Sequence, residues 1–196
     1  FAEKQAKWAG EGWQIKAVEE AASGDGIPWP IKDGDPVYIR GRIDRIDYNP
    51  ETDEWALLDY KTDAKGNSPD DKHRKRDDWV DLQLPLYRHI ALRGLVDENG
   101  EPLITCEEER IKLGYISLPE DTDKTGFQIA DWSKKLLDSA DDNTSEVILE
   151  LQKGVVEFDS EITKPRSKIF PDDVLRPLLA RGWKASDDDD TAGIAS

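Results

Sequence analysis

An α/β domain built on a mixed sheet is the fold class that this sequence predicts. Two neighbouring runs, VYIRGRIDRIDY at 37–48 and EWALLDYK at 54–61, are rich in β-branched and aromatic residues at alternating positions. Apolar residues at helical spacing stand on either side of them: Trp8, Ile15, Val18 and Ala22 before, and Trp79, Leu82, Leu86 and Ile90 after. The resulting order of helix, two or three strands, helix, strand and further helices indicates a sheet with helices packed on it.

Taken in order, residues 3–22 are expected to be helical, stopped by Ser23-Gly24-Asp25-Gly26. Pro28, Pro30 and Pro36 then make the chain irregular. A strand at 37–48 is followed by turn chemistry at Asn49-Pro50-Glu51-Thr52-Asp53 and a return strand at 54–61. Residues 62–76 are polar and loop-like. Asp77 or Asp78 could cap a helix running to Arg93, although Pro85 implies a kink or a later start. Val96 to Gly100 is a turn, Arg110 to Leu118 a strand, and 129–137, 144–151 and 171–179 are helices. The expected organisation is a single domain over 1–184 and an acidic, disordered tail over 185–196.

Composition narrows the classes. A chain of 196 residues suits one domain with its own core, and 37% hydrophobic residues with seven Trp favour folding over disorder. No apolar run is long enough to cross a bilayer, and no signal-peptide pattern opens the chain, so no membrane partner is expected. The sequence begins at Phe1 and contains no Met, which predicts a piece of a longer protein. Cys106 is the only cysteine, so an intrachain disulfide, a cysteine-rich zinc site and a four-cysteine iron–sulfur cluster are excluded. A cytoplasmic location is the default. The net charge of −16 taken alone argues against a nucleic-acid partner. Its distribution matters more: acid gathers at Asp138 to Glu146 and Asp187 to Asp190, while base gathers at Lys72-His73-Arg74-Lys75-Arg76.

The hairpin carries the chemistry. With its turn centred between Glu51 and Thr52, Asp44 faces Asp59, Ile46 faces Leu57 and Tyr48 faces Trp55. Facing Cβ atoms lie roughly 5 Å apart, so two carboxylates would share one face and need a cation between them. Alternation puts Lys61 on the same face as Asp59. Carboxylate oxygens suit Mg²⁺ or Mn²⁺, and a lysine beside such an ion can orient water or stabilise developing negative charge. The plainer reading is that Asp-x-Lys is a common triplet at a solvated strand end, with Asp44, Arg45 and Asp47 as surface charge. The pairing also depends on the register, since a slip of one residue moves every side chain to the other face.

Gly41-Arg42-Ile43-Asp44-Arg45-Ile46-Asp47, Leu58-Asp59-Tyr60-Lys61-Thr62 and Gln83-Leu84-Pro85-Leu86-Tyr87 resemble, in that order, the successive motifs of the PD-(D/E)XK nuclease superfamily. They are most similar to its RecB-like branch, which includes the nuclease domains of AddB and RecB helicase–nucleases. The resemblance covers residues 37–95. It implies a restriction-endonuclease-like α/β fold, with a central mixed β-sheet flanked by helices. It implies Asp44 and Asp59 as metal ligands, the Tyr60 carbonyl as a further ligand, Lys61 as the catalytic lysine, and Gln83 and Tyr87 beside the metal and the DNA. Simple helix packing is the competing account of Gln83 and Tyr87. Family members add a residue from an upstream helix; Glu19, or else Glu20, stands where it would be, and an ordinary exposed acid is the alternative. Some relatives hold an iron–sulfur cluster through four Cys, which this sequence cannot do.

The implied activity is Mg²⁺- or Mn²⁺-dependent hydrolysis of DNA, as an exonuclease, alongside other domains or subunits of a repair or recombination machine. His73, Arg74, Lys75 and Arg76 could contact phosphates, or could be a solvated charge run. Trp8, Trp13, Trp79 and Trp132 are expected as core anchors rather than base-stacking platforms. Two rivals stay open: a catalytically silent DNA-binding or structural module, and an acidic protein-interaction domain.

Overall fold

A computed structural model describes residues 1–31, 36–62 and 66–152. The helix expected at 171–179 and the tail from 185 lie outside the described residues.

The elements run α1 (Ala2–Gly10), β1 (Gln14–Ala21), β2 (Ile27–Trp29), β3 (Val37–Ile39), β4 (Arg42–Asn49), β5 (Glu54–Lys61), α2 (Pro69–His73), β6 (Arg74–Lys75), β7 (Asp78–Trp79), α3 (Gln83–Gly94), β8 (Ile111–Ser117), β9 (Gly126–Ile129) and α4 (Lys134–Gln152). The five-stranded central sheet has the order β1-β4-β5-β8-β9. Its β5–β8 pair is parallel and its other pairs are antiparallel, so the sheet is mixed as expected. Helices flank it on both faces. On one, α3 packs over Ile46, Leu57, Leu113 and Tyr115 through Leu84, Tyr87 and Ile90. On the other, Trp8 of α1 and Trp13 pack over Ala56, Leu58 and Ile116. Trp8 stacks between Trp13, with centroids 4.6 Å apart, and Phe127, at 4.4 Å. The fold is an α/β restriction-endonuclease-like one. No helix among the described residues is long and apolar enough to cross a membrane.

Four expectations are corrected. The helix over 3–22 is two elements, α1 and the edge strand β1. Gly10-Glu11-Gly12 ends α1, and Gly12 turns the chain with φ +96°, where an added Cβ would lie 2.9 Å from Asn49 Oδ1. Ile15 and Val18, spaced like a helical core face, are in fact more than half exposed on the edge strand. The strand over 37–48 is broken at Arg40-Gly41. Gly41 passes against Ile90 of α3, and β3 leaves to pair with β2. The loop over 62–76 contains the one-turn helix α2, capped by Ser68 and Asp71, and the first strand of the β6–β7 hairpin. The helix placed at 129–137 is the last residue of β9, a connection over 130–133 and the start of α4, which then continues through the segment expected at 144–151.

Helix α3 starts late, at Gln83, because Asp81 Oδ1 accepts the Gln83 N–H at 2.8 Å. Pro85 therefore falls in the first turn, where its missing N–H removes no helical bond. Arg88, fully buried in α3, holds α4 in place through Asp141 at 2.6 Å and the Leu137 carbonyl at 3.0 Å.

Candidate active site

The β4–β5 ladder pairs Ile46 with Leu57 and Tyr48 with Trp55, the register expected from the turn. It ends at Arg45 and Leu58. Beyond that point β4 separates from β5, and Asp44 bridges the gap with its side chain, Oδ2 accepting the Tyr60 N–H at 3.0 Å. The peptide groups along β5 alternate in direction. The Lys61 carbonyl faces β8, accepting the Leu118 N–H at 2.7 Å, so the Tyr60 peptide faces the opened gap beside Asp44. The sheet thus brings Asp44, Asp59 and the Tyr60 carbonyl to one place.

Asp59 is buried, with a side chain only 6% exposed. A closed polar ring surrounds it. Lys61 Nζ lies 2.6 Å from Asp59 Oδ2 as an ion pair. The same ammonium donates to Gln83 Oε1 at 3.2 Å, Gln83 Nε2 donates to the Tyr87 hydroxyl at 3.0 Å, and that hydroxyl donates to Asp59 Oδ1 at 3.3 Å. Gln83 and Tyr87 meet because they are one turn apart on α3. Burial pushes the Asp59 carboxyl above its ordinary value; the Lys61 charge opposes this and the Asp44 charge adds to it. Burial, reinforced by the Asp59 and Asp44 charges, also raises the Tyr87 phenol far above its usual value, so it remains a donor.

This donor set fits a hard divalent cation. Asp59 Oδ2 is buried and meets the Lys61 ammonium at 2.6 Å as an ion pair, and the Asp44 charge acts on the same carboxylate. Two carboxylates and a backbone carbonyl are oxygen ligands of the kind Mg²⁺ and Mn²⁺ prefer. Among the described residues no group of three or more His, Cys, Asp or Glu side chains converges. A cation here would complete its shell from water and phosphate oxygens, as Mg²⁺ commonly does.

Glu19 is not on a helix. It lies in β1 with φ +54°, and the pairs Val18 with Arg45 and Glu20 with Ile43 bracket it opposite Asp44. Its exposed carboxylate is 3.7 Å from Arg42. The basic run divides. His73 is fully buried, which removes it from the nucleic-acid contacts expected of it. Arg74 lies over the Trp79 ring and 3.5 Å from Asp70, while Lys75 and Arg76 are exposed on the β6–β7 hairpin. Arg45 and Asp47 are not surface charge but a buried pair at 2.6 Å, with Asp47 also accepting from Trp8 Nε1 at 2.8 Å. Trp8 and Trp13 are core, whereas Trp79 and Trp132 are half-buried in a T-shaped pair beside His73.

A cleft of about 410 Å³ opens beside the ring, lined by Tyr60, Lys61, Thr62, Lys72, Asp81 and Tyr115. Sequence reasoning gave four of these no role at the site: Thr62, Lys72, Asp81 and Tyr115. Asp81 had a local signal, a carboxylate two residues ahead of the third motif, where its Oδ1 accepts the first N–H of α3. Tyr115 had none, because only the parallel pairing of β8 with β5 places it opposite Asp59.

A sequence model of the PD-(D/E)XK nuclease superfamily matches residues 1–164. The chain is also similar to an ATP-dependent helicase/deoxyribonuclease subunit from Staphylococcus saprophyticus, 30% identical over 108 residues. That match takes in 51% of this chain and spans only 9% of the relative's length.

Proposed function

The chain belongs to the PD-(D/E)XK nuclease superfamily, and from that membership we propose that it is a Mg²⁺- or Mn²⁺-dependent deoxyribonuclease domain. We further propose that it acts as an exonuclease in the cytoplasm, alongside other domains or subunits of a DNA repair or recombination machine. The similarity to a helicase/deoxyribonuclease subunit supports that setting. The observation that carries the nuclease reading is the ring joining Asp59, Lys61, Gln83 and Tyr87 next to Asp44.

In this reading Asp44, Asp59 and the Tyr60 carbonyl hold the cation. A bound divalent cation polarises the scissile phosphate and makes water a stronger nucleophile. Lys61, kept beside Asp59 by Gln83, faces the phosphate and stabilises the negative charge that develops on it. Tyr87 stays protonated and donates to Asp59, fixing the carboxylate's orientation. Lys72 brings a second positive charge to the same cleft, and Lys75 and Arg76 extend the phosphate track along the hairpin.

The test is digestion of linear single- and double-stranded DNA with Mg²⁺ or Mn²⁺, with Lys61→Ala and Asp59→Ala in parallel. Metal-dependent degradation lost in both variants supports the assignment. Equal activity in all three proteins points to a contaminant. Inactivity of the unmodified chain leaves two options, a domain that needs its partner domains and the silent-module rival; calorimetric titration with Mn²⁺ separates them, since the silent module shows no site lost in Asp59→Ala.

A further inference from the structure

Behind Lys61 lies a second buried polar chain that the nuclease reading leaves unused. His73, fully buried at the end of α2, has its Nδ1 at 2.8 Å from the Asp81 carbonyl and its Nε2 at 2.5 Å from the Tyr115 hydroxyl. A carbonyl can only accept, so Nδ1 carries the proton and Nε2 accepts from Tyr115. Burial lowers the imidazole's pKa, in keeping with this neutral tautomer. Trp132 closes the site with its ring edge-on to the imidazole, centroids 5.4 Å apart.

Both partners of His73 lead to the same ammonium. Tyr115 is buried, and Lys61 Nζ sits over its ring, 5.2 Å from the centroid. Asp81 holds the first peptide of α3 through Oδ1 and Gln83 N–H at 2.8 Å, and Gln83 Oε1 takes a hydrogen bond from Lys61 Nζ at 3.2 Å. The main chain tightens the link, since the His73 carbonyl accepts the Val80 N–H at 2.8 Å. A lysine side chain has four rotatable bonds and no geometry of its own. A ring below it and an amide beside it supply that geometry, and both are linked through hydrogen bonds to one histidine.

We propose that His73 is a positioning residue for Lys61: by tying Tyr115 to Asp81 it fixes the aromatic ring and the Gln83 amide between which the ammonium is held. The proposal rests on the nuclease reading for the role of Lys61, not for the arrangement itself. It accounts for a fully buried histidine two residues before the exposed Lys75 and Arg76. It also separates the basic run into a part that orders the site and a part, Lys75 and Arg76, free to meet a phosphate backbone.

Two substitutions remove the same bond from opposite ends. His73→Asn keeps an amide N–H in reach of the Asp81 carbonyl but loses the acceptor for Tyr115. Tyr115→Phe keeps the ring and loses its hydroxyl. Misplacing a reacting group by about 1 Å can cost on the order of a hundredfold. Each variant of the full chain, assayed well below its melting temperature on linear DNA with Mn²⁺, is expected to lose at least about tenfold in kcat with KM within about twofold. The double variant should lose less than the product of the two single losses, because the His73–Tyr115 bond is common to both changes. A wild-type kcat in either folded variant, or losses that multiply in the double variant, overturns the proposal. A readout independent of activity is the Lys61 Hε resonance, identified by its absence in Lys61→Arg. It should lie upfield under the Tyr115 ring current and move toward the free-lysine position in both variants. An unchanged resonance overturns the proposal even where the chain cleaves nothing, whereas an inactive wild type with a displaced resonance overturns only the nuclease reading.

Discussion

Asp59→Asn should stabilise the metal-free protein and abolish its stabilisation by metal. The carboxylate is buried, faces the charge of Asp44, and has its pKa raised despite Lys61 at 2.6 Å. Burial and repulsion therefore outweigh the ion pair, and the charged form is disfavoured on folding. An amide of the same shape removes that cost and still accepts from Tyr87. Relief of such a strained site is commonly worth about 0.5–2 kcal/mol. In a chain of this size about 1 kcal/mol moves the melting temperature by about 2–4 °C, so a rise of about 1–8 °C is expected in EDTA. A carboxyl with a raised pKa binds more protons folded than unfolded between the unfolded value, about 3.9, and the folded one. Wild-type stability contributed by this group therefore falls as pH climbs through that window. The gap between variant and wild type should open over the same window and stay open above it. Mn²⁺ at a hundred times its dissociation constant should add about 2.7 kcal/mol to the wild type and nothing to the variant. Thermal unfolding monitored by tryptophan fluorescence, in EDTA and in Mn²⁺ from pH 4 to 8, reads both effects. A variant that melts lower than wild type in EDTA at pH 7, or one that keeps the full Mn²⁺ shift, refutes the reasoning.

Lys61→Ala should cut kcat by about a hundredfold to a thousandfold, the usual loss for a donor aimed at developing charge, while DNA retention in Ca²⁺ is kept; single-turnover kinetics and a filter-binding titration separate the two. Tyr87→Phe removes a hydrogen bond that favours ionised Asp59, so the metal-free carboxyl should titrate at still higher pH by ¹³C NMR. Mn²⁺ affinity should weaken about tenfold, at the low end for a ligand-orienting residue because the bond is long at 3.3 Å. Asp47→Ala leaves Arg45 buried without its counter-charge and should cost about 3–5 kcal/mol in urea unfolding, where a surface pair would cost under about 1 kcal/mol.

The site was legible where its determinants are local. A turn at Glu51-Thr52 sets the register that pairs Ile46 with Leu57 and Tyr48 with Trp55, but the ladder stops at Arg45 and Leu58, so Asp44 does not pair with Asp59 as that register extended would have it and instead accepts the Tyr60 N–H. Gln83 and Tyr87 follow from one helical turn. The fold class survived because helical and alternating patterns are long. The boundary between α1 and β1 was lost because Ile15, Val18 and Ala22 mimic a helical stripe. On an edge strand such residues need not be buried, so periodicity lost its physical basis, and only Gly10 and Gly12 marked the break. The break at Gly41 was hidden for a different reason: β-branched residues continue on both sides, and what splits them is the passage of Ile90. His73 and Tyr115 are 42 residues apart, and nothing local to either announces the bond.

The alternation of a strand also explains why so many charges crowd into residues 42–47. Asp44 points to the α3 side, where it meets the Tyr60 peptide at the mouth of the cleft. Arg45 and Asp47 point to the α1 side, where Arg45 reaches Gln5 and lies over Phe127 and Asp47 takes the Trp8 indole. One short segment therefore places a metal-ligand candidate and a buried ion pair back to back. The second pair clamps α1 against the strand from which Asp44 projects, and Tyr60, whose peptide binds Asp44, sends its side chain toward Arg45. Loosening the α1 face should therefore be felt at the cleft: Gln5→Ala, remote from every candidate ligand, should leave the fold intact yet weaken Mn²⁺ binding by a few-fold. Unchanged Mn²⁺ affinity in that variant, measured by calorimetry, would show the two faces to be energetically independent.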